Sequence, residues 1–124
     1  MINLIFNILT VLVSAPAGEA PLMIEVTLYV SGQFQSGVCR SPDVFSPAPY
    51  WSVNDNILND KELNLLYGAT VSRDYDGDGR YLATLSIPSL NLTLNDSRIS
   101  CSVNMTVLLQ YHLHLIDGEY STKC

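Results

Sequence analysis

The 124 residues (13.7 kDa) carry 6 Lys and Arg against 12 Asp and Glu, a formal charge of −6 and a sequence pI near 4.5. That length holds one domain of the usual ~100–150 residues. The acidic balance, without a basic cluster, argues against nucleic acid and anionic membrane surfaces as partners, and 48% hydrophobic with only 15% charged residues excludes a disordered chain.

Residues 1–17 contain no charge, and the mostly apolar stretch 2–13 leads into Ser14, Ala15, Pro16 and Ala17. An apolar run ahead of a small-x-small site reads as a secretory signal peptide. Ala15 and Ala17 take the −3 and −1 positions, so cleavage is expected after Ala17. The alternative is a buried N-terminal strand, since no Lys or Arg opens the run. The run falls short of the ~20 apolar residues that cross a membrane, so no membrane span is expected. The folded domain is then 18–118, followed by a C-terminal tail at 119–124. The chain is either a free secreted domain or the first domain of a receptor.

Secretion is supported by three N-x-S/T sequons, at Asn91, Asn95 and Asn104, none with Pro in the middle. It also sets the expected cysteine chemistry. Cys39, Cys101 and Cys124 all lie in the mature chain. In an oxidising compartment two of them pair and one is left over. No zinc-type Cys/His spacing exists.

Along the mature chain, residues 23–30 alternate, with Ile24, Val26, Leu28 and Val30 on one face, which marks a half-buried strand. Ser31 and Gly32 interrupt it, and 33–39 resumes with weaker alternation. Pro42, Pro47 and Pro49 mark a loop, because proline cannot donate to a ladder. Residues 50–53 form a short strand, and Asn54, Asp55 and Asn56 supply turn chemistry for a hairpin into Ile57 and Leu58. Residues 60–67 are ambiguous between strand and helix, with Asp60 as the cap and Gly68 as the stop of the helical option. Residues 69–73 are extended and 74–79 turn. Strands follow at 81–87, 98–103 and 107–116. Many short strands between turn signals indicate an all-β sandwich or barrel.

Trp51 follows Cys39 by 12 positions and precedes Cys101 by 50. This pattern resembles the immunoglobulin superfamily, as a single variable-like or intermediate-set domain over residues 22–118. The stretches 51–54, 82–87, 98–103 and 112–118 resemble its strands C, E, F and G. The resemblance implies an immunoglobulin-like two-sheet antiparallel β-sandwich, a Cys39–Cys101 disulfide between strands B and F, and Trp51 packed on that bridge. Cys124 is then a free thiol or links two chains into a homodimer. The sequence departs from the pattern at Ile99, where the tyrosine corner has its tyrosine, and in strand B, where Gln35 and Gly37 stand at inward positions.

Two motifs suggest chemistry. Asp74, Asp76, Asp78 and Gly79 open like a calcium loop, but Leu85 stands where an EF-hand has its closing carboxylate. A solvated acidic hairpin is the expected reading. His112 and His114 share one face of the last strand, a pair that can ligate a metal, but no third ligand is evident nearby. They are expected to face solvent. No nucleophile–base set and no phosphate loop is present, so neither an enzyme nor a cofactor is expected.

The resemblance implies a secreted, non-catalytic recognition or adhesion domain that binds an extracellular protein or glycan. The loops expected to gather at one end are 40–49, 59–61 and 104–108, with Asn104 pointing outward there. Asn91 and Asn95 are expected at the opposite end. The alternative is a calcium-dependent secreted module using Asp74, Asp76 and Asp78.

Overall fold

The computed structural model describes the backbone of residues 9–12 and the whole of residues 21–117. Among these residues, ten strands form two sheets. In chain order they are β1 (Leu9–Leu12), β2 (Leu22–Tyr29), β3 (Phe34–Gln35), β4 (Cys39–Arg40), β5 (Tyr50–Val53), β6 (Asn56–Leu58), β7 (Thr70–Tyr75), β8 (Tyr81–Ile87), β9 (Arg98–Val103) and β10 (Thr106–Ile116). One helix, α1 (Asp60–Tyr67), lies between β6 and β7, and a short 3-10 turn spans Leu92–Leu94.

The first sheet runs β1-β2-β10-β9-β5-β6. Its pairs are antiparallel except β2 with β10, which run parallel with Glu25 opposite His112. The second sheet joins β3, β4 and β7 to β8. β1 lies within the segment read as a signal peptide and pairs antiparallel along β2, Leu9 opposite Val26. The tail at 119–124, with Cys124, lies outside the described residues.

Alternation builds the core. Ile99, Cys101 and Val103 of β9 and Leu109, Tyr111, Leu113 and Leu115 of β10 point inward and are buried. Ala83, Leu85 and Ile87 of β8 meet them from the other sheet. Leu63 is the buried residue of α1, while Leu65 and Leu66 face solvent, so Leu63 with the part-buried Tyr67 seats the helix.

The helix resolves the ambiguity of residues 60–67, but its cap is Asn59 rather than Asp60. Asn59 Oδ1 accepts from the Glu62 N–H at 2.8 Å, and Glu62 Oε1 accepts from the Asn59 N–H at 2.9 Å. This reciprocal capping box satisfies two donors that Asp60, one position later, would leave open. Gly68 ends the helix with φ 68°, a left-handed geometry that favours glycine.

Strand B is broken. β3 and β4 both pair with β8, and residues 36–38 bulge between them. Ser36 Oγ accepts from the Leu85 N–H at 2.9 Å, and the Gly37 N–H donates to the Tyr111 hydroxyl at 2.5 Å. A Cβ at residue 37 would stand 3.2 Å from that hydroxyl, so glycine lets β10 tie to the bulge across the sandwich.

Candidate functional site

The centre of the sandwich is the Cys39–Cys101 disulfide, with Cα atoms 6.5 Å apart and 62 positions between the cysteines. Closing a loop of that length removes roughly 4 kcal/mol of unfolded-chain entropy on the chain model. Trp51 is the cross-strand neighbour of Cys101 and is fully buried. Its indole N–H has no hydrogen-bond partner among the described residues, so packing alone holds the ring. Ile99 is also fully buried where a corner tyrosine was missing, and Tyr111 supplies a different tie from β10.

One end of the sandwich gathers the loops. The Met105 N–H donates to the Tyr50 hydroxyl at 3.0 Å, which brings the β9–β10 turn beside the end of the 40–49 loop. That turn is tighter than the expected 104–108. It consists of Asn104 and Met105, with φ 51° and 68°, and β10 begins at Thr106. Asn104 therefore sits in the turn itself. Positive φ at both positions is the hairpin geometry whose twist matches the strands.

The start of α1 joins the same end. Arg73 makes two hydrogen bonds to the Asp60 carboxylate, at 2.9 and 2.8 Å, and a third to the Pro49 carbonyl at 2.9 Å. The guanidinium holds Asp60 below its ordinary carboxylate range. A groove of about 700 Å³ lies here, lined by Pro49, Tyr50, Ile57, Leu58, Asp60 and Arg73. Phe45 (92% exposed) and Met105 (84% exposed) stand out from these loops.

The acidic turn is also at this end, and its central carboxylate serves the backbone. Asp76 Oδ1 accepts from the Arg80 N–H at 3.0 Å and the Asp78 N–H at 2.8 Å. Its Oδ2 faces Arg40 Nε at 3.3 Å. These donors, the Arg80 N–H first, hold Asp76 below its ordinary range.

The opposite end is polar. Asn54, in the β5–β6 turn, accepts from the Arg98 N–H at 2.9 Å and donates to Ser97 Oγ at 3.3 Å. The loop around residues 95–97 docks on β10. The Asp96 N–H donates to the Leu113 carbonyl at 2.8 Å, and Asn95 Oδ1 accepts from the Leu115 N–H at 2.8 Å. On the outer face of β10, next to this loop, the rings of His112 and His114 lie 4.3 Å apart. Both are part-exposed, as expected.

The expected absence of a third ligand is overturned. Glu25 of β2 meets the pair, with His114 Nε2 at 2.5 Å and His112 Nδ1 at 3.5 Å from its Oε1. The hydrogen bond from His114 is the main cause holding Glu25 below its ordinary range. From the other side, Asp96 Oδ1 lies 3.7 Å from His112 Nε2 and 3.5 Å from His114 Nδ1. Among the described residues, Glu25, His112 and His114 are the group of metal-type side chains whose donor atoms gather within 4.8 Å.

The sandwich and its bridge can be set beside known proteins. The N-terminal Ig1-2 module of the Drosophila receptor protein tyrosine phosphatase DLAR is similar, with a TM-score of 0.55 at 15% identity over 77% of this chain and 46% of that one. The first eight Ig domains of the Down syndrome cell adhesion molecule, isoform 1.30.30, give 0.50 at 13% identity over 90% and 15%. The domain has the immunoglobulin fold. No protein-family model and no curated protein sequence matches the chain. It spans less than half the length of either solved structure. In immunoglobulin terms, β2 is strand A′ on strand G, β5 and β6 are C and C′, and α1 stands where a variable-type domain has its C″ strand.

Among the described residues, no helix is long and apolar enough to cross a membrane.

Proposed function

We propose that this immunoglobulin-like domain is an extracellular, non-catalytic recognition module that contacts a protein or glycan through the end carrying residues 40–49 and the Asn104–Met105 turn. The observation that carries the reading is the pairing of tied-down loops with exposed apolar side chains. Phe45 and Met105 are almost fully exposed, yet their loops are fixed by the Tyr50, Arg73 and Arg40 contacts. A preorganised apolar surface loses little freedom on binding. Met105 holds φ 68°, where glycine or asparagine is the less strained choice, so an exposed apolar side chain is kept at a local cost. The likeness to a receptor module and an adhesion molecule supports the fold on which this rests, and the loop end supports the rest.

The reading takes residues 1–17 as a cleaved leader and Asn91, Asn95 and Asn104 as glycan acceptors. Cleavage after Ala17 would remove β1 and open the outer edge of β2. A secreted product that begins at Gly18 is expected, and a product that retains Met1 would contradict secretion by this route. The calcium alternative is disfavoured by the commitment of Asp76 to its own turn. A melting midpoint unchanged by calcium is expected, whereas a rise would favour that alternative.

The direct test is binding of the secreted chain to arrays of immobilised extracellular proteins and glycans, alongside the Phe45→Asp and Met105→Asp variants. Both variants should keep the parent melting midpoint and lose the partner. Binding that survives in both would overturn the reading.

A further inference from the structure

We propose that His112, His114 and Glu25 form a binding site for a divalent transition metal of the zinc class, with Asp96 as the outer carboxylate that orients both imidazoles. The site lies on the outer face of the A′–G strand pair, away from the loop end, and is independent of the partner reading above.

The parallel pairing of β2 with β10 sets Glu25 directly opposite His112, and the period of two brings His114 onto the same face. Each imidazole lies between two carboxylates. His112 turns Nδ1 toward Glu25 and Nε2 toward Asp96, while His114 turns Nε2 toward Glu25 and Nδ1 toward Asp96. Asp96 stands beside the far nitrogen of each ring, where it can stabilise the proton once a metal occupies the near one. In the metal-free state the near nitrogen of His114 donates to Glu25, and a bound cation would take the place of that proton. Outer carboxylates fix the tautomer of metal-bound histidines in this way.

Asp96 is itself held. It has φ 65°, and its loop is bound to β10 through the Leu113 and Leu115 backbone. The two separations to Glu25 are near those a small ion needs, and the set as a whole, which spreads over up to 4.8 Å, would contract on binding. Bonds of about 2.0–2.1 Å in a tetrahedral site place neighbouring donors roughly 3.3 Å apart. His112 Nδ1 and Glu25 Oε1 are already 3.5 Å apart. His114 Nε2 and Glu25 Oε1, now hydrogen-bonded at 2.5 Å, need to separate by just under about 1 Å as the ion replaces the proton.

The side chains of Glu25 and the two histidines are only 30–39% exposed, which leaves a fourth position open to water. Two carboxylates with two neutral imidazoles carry a charge that one divalent cation balances. Two nitrogens and few oxygens favour zinc-class ions over calcium, which takes six to eight oxygens.

The test is calorimetric titration of the secreted chain with zinc chloride, in a Cys124→Ser background that removes the one cysteine outside the bridge. One-to-one binding is expected, with no competition from millimolar calcium. His112→Ala and His114→Ala should each weaken binding by about 100-fold or more, and Asp96→Asn by about 10-fold with stoichiometry kept. The metal-free melting midpoint checks that each variant folds, and His112→Gln or His114→Gln replaces an alanine variant that does not. No saturation by about 100 μM zinc, or equal affinity in the parent and a folded double histidine variant, would overturn the site.

Discussion

At the end of the sandwich that carries Phe45 and Met105, side-chain and backbone polar groups are used to tie loops together, and apolar groups are left facing solvent. At the opposite end polar groups tie the loops too, but the exposed groups differ. There the 95–97 loop is likewise tied back onto β10 and Leu94 is buried, but beside the exposed Leu92 stand the ionisable groups His112, His114, Glu25 and Asp96. The first surface gains from removing water, in proportion to the apolar area covered, and selects a complementary surface. The second gains from charge and lone pairs, and selects an ion. On the two proposals above, one sandwich would place two kinds of recognition at opposite ends of the same strands.

The largest expected effect breaks both ends together. Trp51→Ala empties the layer that the two sheets share and should cost about 3–5 kcal/mol in denaturant unfolding. A loss below about 1 kcal/mol would mean that the indole does not support the core. Tyr111→Phe acts on strand B alone. It removes the hydroxyl that accepts from Gly37 and should cost about 1 kcal/mol, with faster amide exchange at Gly37. Unchanged exchange would show that the bulge holds itself.

Acid reaches both ends with the same sign. Asp60 is depressed below its ordinary value of 3.8 by Arg73, and Glu25 below 4.5 by His114 first. A carboxylate with a depressed folded pKa stabilises fully above its unfolded value, and that stabilisation is lost as pH falls through the folded one. The melting midpoint should therefore drop below about pH 4. The Asp60 contribution is under about 1 kcal/mol because the pair is part-exposed. Asp60→Asn isolates the loop end. It should lower the midpoint at neutral pH and make the acid drop shallower, and a drop of unchanged depth would remove Arg73–Asp60 from the stability of that end.

The smallest effect on stability should come from the glycan sites. Asn104→Gln sits beside Met105, and we expect it to alter partner binding or self-association more than Asn91→Gln or Asn95→Gln. Equal behaviour of all three, with occupancy in the parent confirmed by mass spectrometry, would separate the glycans from the loop end.

What could be read from the sequence follows the range of the forces involved. Cys39, Trp51 and Cys101 were legible through their resemblance to the immunoglobulin pattern, in which a bridge and one large ring fill the narrow core between two sheets. The strands at 81–87 and 98–103 were legible from alternation alone. Strand B was legible only in part, because its inward positions are broken by a bulge whose partner, Tyr111, lies 74 positions away. The helix cap was in reach, since Asn59 and Glu62 have the capping-box spacing one residue earlier than Asp60. The acidic turn expected at 74–79 is shorter in the structure, because Asp74 and Tyr75 continue β7, and Asp76 bonds its own turn as well as Arg40 from strand B. Glu25 gave no local signal at all. It stands 89 positions from His114 and meets it only because strand A′ runs parallel to strand G.

The central claim is that the partner is met at the loop end. The most direct measurement is hydrogen–deuterium exchange of the secreted domain, free and bound to the partner captured in the array. Slowed exchange confined to residues 40–49 and the Asn104–Met105 turn is the expected result. Protection centred on residues 91–98 and the Asn54–Asp55 turn, with the loop end unchanged, would contradict it.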